Sequence, residues 1–414
     1  MTTRDLLVPF RGERYRDAKR LSAVVAPPYD VITPEQRATL AARAPHNMVH
    51  LVLPERGAGD PYEHAASLLT DWRSAGVWVR DAEPTITVLA QDFAVPGGGR
   101  RSRLGMFAAL VAEPYDTRRV RPHEHTHSGP KADRLALLRA TRTSLESILV
   151  LAPDADGAMA ATLAEIAGRP PHATAELDGV GIRVWIIGGS QATQLTTHHS
   201  PLPVYIADGH HRYETAVAYA KEQPSADRLL ALVVSARDPG LTVLPTHRVI
   251  FGAGRRPETV LDGWRRWFDV TELPHEADAL AHLGRAGEGG TACVVAWGEG
   301  PLHLLRLKAD APLAELPELG GHAAVRALDV ARVEALVVRA ILQATTSTPT
   351  LRYSADAAEA LRLVRTGAAA AVLLNPTRVE QVIAVADAGG VMPPKSTYFA
   401  PKVPCGIVVY PSRP

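Results

Sequence analysis

Short apolar runs alternate with amphipathic segments along the chain. Residues 203–207 and 229–235 are rich in apolar and β-branched side chains, which predicts two buried strands. Residues 62–76 instead carry apolar side chains on one helical face. Strands and helices follow one another irregularly and hairpins are frequent. The pattern therefore predicts an α+β fold with a mixed sheet.

Other apolar runs extend this prediction along the chain. Thr33, which precedes a proline, is predicted to cap a helix. The two early runs at residues 23–32 and 46–53 are predicted as strands, the first broken by a Pro-Pro pair. Later strands are predicted at residues 85–93, 103–111, 181–189, 292–297, 302–307 and 369–374, and a long apolar helix at 329–342.

Polar clusters are frequent up to about residue 258 and sparse beyond it. We predict a catalytic, phosphate-binding domain at residues 1–258 and a smaller supporting α+β domain at 259–390. The C-terminal segment, 391–414, holds Tyr398 and Phe399 among prolines, whereas a frayed tail would be polar. We therefore predict that this tail packs back on the site.

Composition limits the classes of partner. The 414 residues include 45 basic and 44 acidic side chains, and this near-neutral balance argues against an extended nucleic-acid surface. Cys293 and Cys405 are flanked by apolar residues and are predicted to be buried thiols. No apolar run reaches the length of a membrane span, and the start has no apolar signal core. We expect a cytoplasmic protein without a membrane partner.

The strongest functional signal is a polar block between a predicted strand and a predicted helix. Asp208 and Gly209 form the turn, and His210, His211 and Arg212 begin the helix. Glycine lets a ligand approach the backbone closely, and a helix N-terminus offers N–H groups and positive dipole charge. The block therefore predicts a phosphate site. In the alternative interpretation, Asp208 caps the helix and the basic side chains are solvated.

Other polar residues follow apolar runs or begin helices. Asp30, after the Pro-Pro pair, is a candidate base, and Glu124 is a candidate Mg²⁺ ligand. Lys131 and Arg134 are candidates for holding phosphate, although a solvated helix start explains them equally well. Candidates for substrate binding are Asn47, Thr246, His247, Arg248, Lys395 and Ser396. For Asn47, a hydrogen bond to its own turn is the alternative.

These blocks resemble, in content and order, a bacterial and archaeal family catalogued as a domain of unknown function. The matching blocks lie at residues 26–32, 45–47, 122–124, 130–134, 138–141, 207–216, 244–248, 374–377 and 392–399. His125 stands where that family usually has a lysine. The block at residues 208–212 also resembles that of ParB/sulfiredoxin-like proteins, notably the free serine kinase, in which such a turn binds nucleotide phosphates. This resemblance implies a ParB/sulfiredoxin-like core and a phosphoryl-transfer site for serine or phosphoserine.

The leading hypothesis is a small-molecule phosphotransferase that uses Mg²⁺ with ATP or ADP. The block at residues 209–212 would bind nucleotide phosphate, and Asp208 or Glu124 would place Mg²⁺. Asp30 would accept the proton of the acceptor hydroxyl. The sequence contains no Walker A pattern.

Two alternatives stay open. His123, His125 and His127 would share one face of extended backbone and, with His210 or His211, predict a metal-dependent hydrolase or phosphatase. A ParB-like nucleotide-binding switch without catalysis is the other. That switch would predict a basic DNA-binding helix pair and charge asymmetry, and the sequence displays neither.

Overall fold

The computed structural model describes residues 4–55, 57, 59–96, 98–126, 128–199, 203–252, 257–298, 300–316, 319–344 and 348–412. The strands are β1 Leu7–Val8, β2 Glu13–Tyr15, β3 Trp78–Arg80, β4 Ile86–Ala94, β5 Arg100–Val111, β6 Val120–Arg121, β7 Thr143–Ser144, β8 Ile148–Ala152, β9 Ala173–Leu177, β10 Val180–Ile187, β11 Val204–Asp208, β12 Arg228–Ser235, β13 Thr242–Leu244, β14 His247–Phe251, β15 Phe268–Leu273, β16 Ala292–Trp297, β17 Leu302–Leu307, β18 Thr350–Ser354, β19 Ala370–Leu374, β20 Tyr398–Ala400 and β21 Tyr410–Pro411. The helices are α1 Leu21–Val24, α2 Pro34–Arg43, α3 Val49–Val52, α4 Pro61–Ser74, α5 Ser128–Thr141, α6 Ala158–Ala167, α7 Gly189–His199, α8 His210–Glu222, α9 Pro257–Arg265, α10 Ala279–Glu288, α11 Ala323–Arg326, α12 Asp329–Val333, α13 Arg339–Ala344, α14 Ala357–Arg365 and α15 Val379–Asp387.

The chain forms two compact units. Unit 1 comprises Met1–Pro122, Thr126–Thr242 and Pro401–Pro414, and unit 2 comprises His123–His125 and Val243–Ala400. The sequence placed a boundary near residue 258, whereas the contacts divide the chain after residue 242. Of the predicted tail, the part from Pro401 onward belongs to unit 1.

Unit 1 is built on a mixed sheet, which confirms the predicted α+β class. Among the described residues it has nine strands in the order β6-β11-β8-β12-β5-β4-β10-β9, with β1 paired to β5. The pairs β6/β11 and β8/β12 are parallel, while β4 and β5 form the predicted antiparallel hairpin. Every residue of β8 is buried, as expected for a strand covered on both faces.

Unit 2 is built on an antiparallel sheet in the order β15-β17-β16-β19-β14-β18. Its core includes apolar residues of α10 and α14 against the central strands. The long helix predicted at residues 329–342 is present as α12 and α13. A π-helical segment, Glu334–Val338, joins them.

Two predicted strands near the start of the chain are wrong. Residues 46–53 contain the helical turn α3, because the Asn47 Oδ1 accepts a hydrogen bond from the Val49 N–H at 2.9 Å and starts the turn. Residues 23–32 contain the end of α1 and a 3₁₀ turn at Tyr29–Val31, with only Ala26 paired as a bridge, to Cys405. Buried apolar runs this short have the same pattern in a strand and in a helix.

Strand β14 places His247 and Arg248 in the core of unit 2, where each is 1% exposed. The His247 Nδ1 accepts a hydrogen bond from the Leu374 N–H at 3.2 Å, so the neutral ring carries its proton on Nε2. The Arg248 side chain donates to the Thr246 carbonyl and pairs with Glu334 at 3.2 Å. These side chains form hydrogen bonds and an ion pair within unit 2, and their role in substrate binding stays a prediction.

His247 should make stability depend on pH. Burial above all, and then Arg248, lowers the pKa of His247 from 6.5 to about 4. As pH falls, His247 is therefore protonated in the unfolded chain at a higher pH than in the folded chain. Its contribution to stability is complete above pH 6.5 and is lost as pH falls to 4. We expect a loss of up to roughly 3 kcal/mol in the free energy of unfolding.

The test is urea unfolding across this pH window for wild type and His247→Asn, in which the amide oxygen replaces Nδ1 as acceptor. The variant should have a flatter pH dependence. His282→Asn, on α10, controls for loss of a histidine. Equal pH slopes in wild type and His247→Asn would contradict the assignment.

Candidate functional site

The predicted order of strand, glycine turn and helix is present as β11, Gly209 and α8. Gly209 is the N-cap of α8 and adopts a φ of 91°, in the left-handed region. A Cβ there would lie 2.8 Å from the Ile148 Cγ2 and 3.1 Å from the Arg212 Nε, so the position needs glycine on two grounds. The N-cap residue of α8 is Gly209, and the Asp208 oxygens accept from Lys402 and Arg212 instead. The alternative in which Asp208 caps this helix is therefore wrong.

Asp208 binds two cations at the end of β11. Its Oδ1 accepts from the Lys402 Nζ at 2.7 Å and its Oδ2 from an Arg212 guanidinium nitrogen at 2.8 Å. Burial alone would raise the pKa of Asp208, but Lys402 and Arg212 outweigh it and hold the pKa well below its usual range. The carboxylate therefore stays ionised and fixes both cations at the strand end.

Arg212 also binds the backbone just before β8. A second guanidinium nitrogen donates to the Ser147 carbonyl. Burial lowers the pKa of Arg212, while the negative charges of Asp208, Asp30 and Glu146 raise it above its ordinary value. We call Asp30, Glu146, Asp208, Arg212 and Lys402 the Asp208 cluster. All five belong to unit 1.

Lys402 reaches the cluster because two buried side chains hold the backbone on either side of it. The Gln91 amide donates to the Lys402 carbonyl at 2.9 Å, and the Arg103 guanidinium donates to the Pro401 carbonyl at 2.7 Å. Sequence reasoning missed Lys402, which is 194 residues from its partner Asp208. The available signal was a lysine inside a proline-rich segment predicted to pack back on the body.

Sequence reasoning also missed Glu146, which precedes β8. Its Oε1 accepts from the Tyr29 N–H at 3.0 Å, and its Oε2 lies 3.3 Å from Arg134. The Cys405 Sγ lies 3.7 Å from Oε1.

Burial first, and then the Glu146 charge, raises the pKa of the Cys405 thiol. Cys405 and Cys293 are buried free thiols, as predicted.

Three predicted site residues of unit 1 already have protein partners. The Arg134 side chain is 5% exposed, bonds to Asp133 and to the Val52 carbonyl, and stacks 4.1 Å from the Tyr29 ring centroid. Lys131 pairs with Glu214 of α8 at 2.9 Å. The Asn47 amide donates to the carbonyls of Ala23 and Val25. These contacts stabilise unit 1. The roles of Arg134, Lys131 and Asn47 in ligand binding stay predictions.

The remaining predicted site residues belong to unit 2. Glu124 lies in the short segment His123–His125 of that unit. The Ser396 hydroxyl donates to the Pro393 carbonyl at 2.5 Å, and Lys395 adopts a φ of 57°. Their proposed binding roles stay predictions, as do those of Thr246, His247 and Arg248.

Among the residues that the structure describes, the alternating histidines do not form a metal site. His123, whose Nε2 lies 3.2 Å from the Thr397 hydroxyl, and His125 belong to unit 2, while His210 and His211 belong to unit 1. His127 lies outside the described residues. Within the part of the chain that the structure describes, no group of three or more His, Cys, Asp or Glu residues is arranged to hold a metal ion.

The Lys402–Asp208 pair should contribute measurably to stability. Lys402→Met removes one of the two ion pairs of the Asp208 carboxylate, so we expect a loss of unfolding free energy at pH 7. Breaking a buried pair costs about 3–5 kcal/mol, and the loss here should be smaller because the two side chains are 15% and 20% exposed. Urea unfolding of wild type and variant measures it.

The pH dependence separates this charge effect from simple loss of packing. Because the folded pKa of Asp208 is depressed, its contribution is present above the ordinary value of 3.8 and is lost as pH falls further. The gap between wild type and Lys402→Met should therefore shrink below about pH 4. Lys221→Met, at an exposed lysine of α8, is the control and should show little change. A gap that is the same at pH 7 and pH 3 would contradict the ion-pair account.

Comparisons with known proteins give a family and weak structural likenesses. The free serine kinase in complex with AMP has a TM-score of 0.37 and 13% identity, covering 73% of this chain and 92% of that one. SbnI from Staphylococcus aureus, truncated at its C-terminus, has a TM-score of 0.39 and 10% identity over 74% and 88%. A conserved hypothetical protein from Pyrococcus furiosus has a TM-score of 0.37 and 15% identity over 74% and 95%. At these TM-scores the likeness says nothing about what this chain binds.

The comparison with curated proteins found no match. Among the described helices, none combines the length and apolar character that crossing a bilayer requires. The family model matches residues 7–331, which is most of the chain. The chain therefore belongs to the family described as "Protein of unknown function (DUF1015)".

Proposed function

We propose that unit 1 binds the phosphates of a nucleotide at the Asp208 cluster and transfers a phosphoryl group to a small hydroxyl compound. The observation that carries the proposal is the placement of two cations, Arg212 and Lys402, on one carboxylate beside the N-terminus of α8. Phosphoryl transfer requires mainly positioned positive charge around the phosphate oxygens. A carboxylate that fixes two cations supplies that positioning.

The backbone supports the same interpretation. Gly209 presents no side chain at the turn, and α8 begins directly after it. The N-terminus of a 13-residue helix carries partial positive charge and N–H groups that suit a phosphate. His211, half-buried in the first turn, is the side chain that we assign to phosphate binding there.

Asp30 is our candidate for the general base. Its charge acts on Arg212, and Asp30 is exposed, so an acceptor hydroxyl can reach it. No described residue forms a hydrogen bond to its carboxylate. The resemblance of the block at residues 208–212 to the free serine kinase makes free serine the first acceptor to test.

The Asp208 carboxylate is poorly suited to hold a Mg²⁺ ion. Both of its oxygens accept from cations, an arrangement that suits orientation of Arg212 and Lys402 better than binding of Mg²⁺. A Mg²⁺ ion that arrives with the nucleotide would be held mainly by phosphate oxygens and water. When bound, that ion would neutralise charge on the phosphates.

Nucleotide binding is tested by the melting temperature of the full chain with ATP, ADP or AMP and Mg²⁺. A ligand at a hundred times its dissociation constant stabilises the folded state by about 2.7 kcal/mol. We expect a nucleotide-dependent shift in wild type and a much smaller shift in His211→Ala. His64→Ala, at an exposed histidine of α4, is the matched control and should behave as wild type. Absence of any shift in wild type would refute the phosphate site.

Transfer is tested separately, with free serine as acceptor and ATP or ADP as donor, by following phosphoserine with phosphorus NMR. Asp30→Asn should keep the nucleotide shift but lose roughly 10²–10⁴-fold in turnover, as expected for removal of a general base. Asp71→Asn, at an exposed aspartate of α4, is the control. Full turnover in Asp30→Asn would exclude Asp30 as the base. Nucleotide binding without transfer to serine or other hydroxyl compounds would instead favour a nucleotide-binding switch.

A further inference from the structure

Unit 2 contains a cavity of about 340 Å³ beside the helical segment that begins at Asp329. Its size falls within the range of about 300–1,000 Å³ that is usual for small-molecule sites. Apolar side chains form part of the wall, among them Val325, Ala331, Ala335 and Met392. All residues that line this cavity belong to unit 2. We call it the unit 2 cavity.

The helix that lines the unit 2 cavity is irregular at that point. Glu334 and Ala335 belong to the π-helical segment Glu334–Val338, and Arg339 follows it directly. Helical π turns are rare and occur often at functional sites. The π segment and the residue that follows it place Glu334, Ala335 and Arg339 on the cavity wall.

The charged residues of the cavity wall favour an anion. Glu334 is the acidic residue among those that line the cavity, and its carboxylate pairs at 3.2 Å with the buried Arg248. That buried guanidinium offsets the Glu334 charge from within unit 2. Arg326 and Arg339 also line the cavity, together with His125. The wall is therefore positive beside an apolar surface.

We propose that the unit 2 cavity binds a small organic anion with an apolar body. The apolar body would pack on Val325, Ala335 and Met392, and the anionic group would bind to the arginines of the wall. A guanidinium binds both carboxylates and phosphate esters in the same planar geometry. This site is separate from the phosphate site proposed for unit 1, and its occupancy does not depend on phosphoryl transfer.

Three probes of equal chain length test the proposal: octanoate, octyl phosphate and uncharged octanol. Binding to the full chain is measured by isothermal titration calorimetry at low salt. We expect octanoate or octyl phosphate to bind at least tenfold more tightly than octanol, a difference of about 1.4 kcal/mol. The stronger of the two anions identifies the preferred head group. Equal binding of octanol, or no binding of either anion at millimolar concentration, would overturn the proposal.

Two variants locate the bound anion. Arg339→Gln removes an exposed charge of the wall and should weaken anion binding about tenfold, while Ala335→Phe fills the cavity and should abolish it. Arg285→Gln, at an exposed arginine of α10, is the matched control and should bind as wild type. Circular dichroism and the melting temperature without probe establish that each variant is folded. If Ala335→Phe does not fold, the comparison of Arg339→Gln with Arg285→Gln still decides, and equal affinity in these two would contradict the site.

Discussion

The ionised carboxylate of Asp208 is the constraint on which the arrangement of unit 1 depends. A largely buried charge is costly unless it is paired and hydrogen-bonded. Asp208 meets that requirement with Arg212, four residues along the chain, and with Lys402, from the C-terminal segment. The same pairing that lowers the cost of burial also holds two cations at the start of α8.

This constraint explains why the last residues of the chain return to unit 1. Gln91 and Arg103, neighbours across β4 and β5, hold Lys402 near Asp208 because they bind the carbonyls of residues 402 and 401. Further along, β21 pairs with β7, and Cys405 bridges to Ala26. The residues from Pro401 onward are therefore a structural part of unit 1.

Polar clusters in this chain either satisfy buried backbone groups or form a candidate ligand site. The sequence does not distinguish these two purposes. Arg134 and Asn47 bind backbone carbonyls, and His247 accepts a backbone N–H in the core of unit 2. Buried backbone groups need such partners as much as a ligand would. The Asp208 cluster differs because its cations meet at a strand end, beside the N-terminus of a helix that begins at Gly209 and an exposed carboxylate, Asp30.

The sequence by itself determined the α+β class, the hairpin of β4 and β5, and the turn at Gly209. Each of these depends on local pattern, such as alternation, helical period or the need for a positive φ. The short runs at residues 23–32 and 46–53 were predicted wrongly, because Asn47 and the proline pair override their apolar pattern. Only the tertiary structure decided that Lys402 and Glu146 join Asp208 and Arg212. Contacts across 194 residues of chain depend on how sheet, helix and tail pack, and no local pattern records that packing.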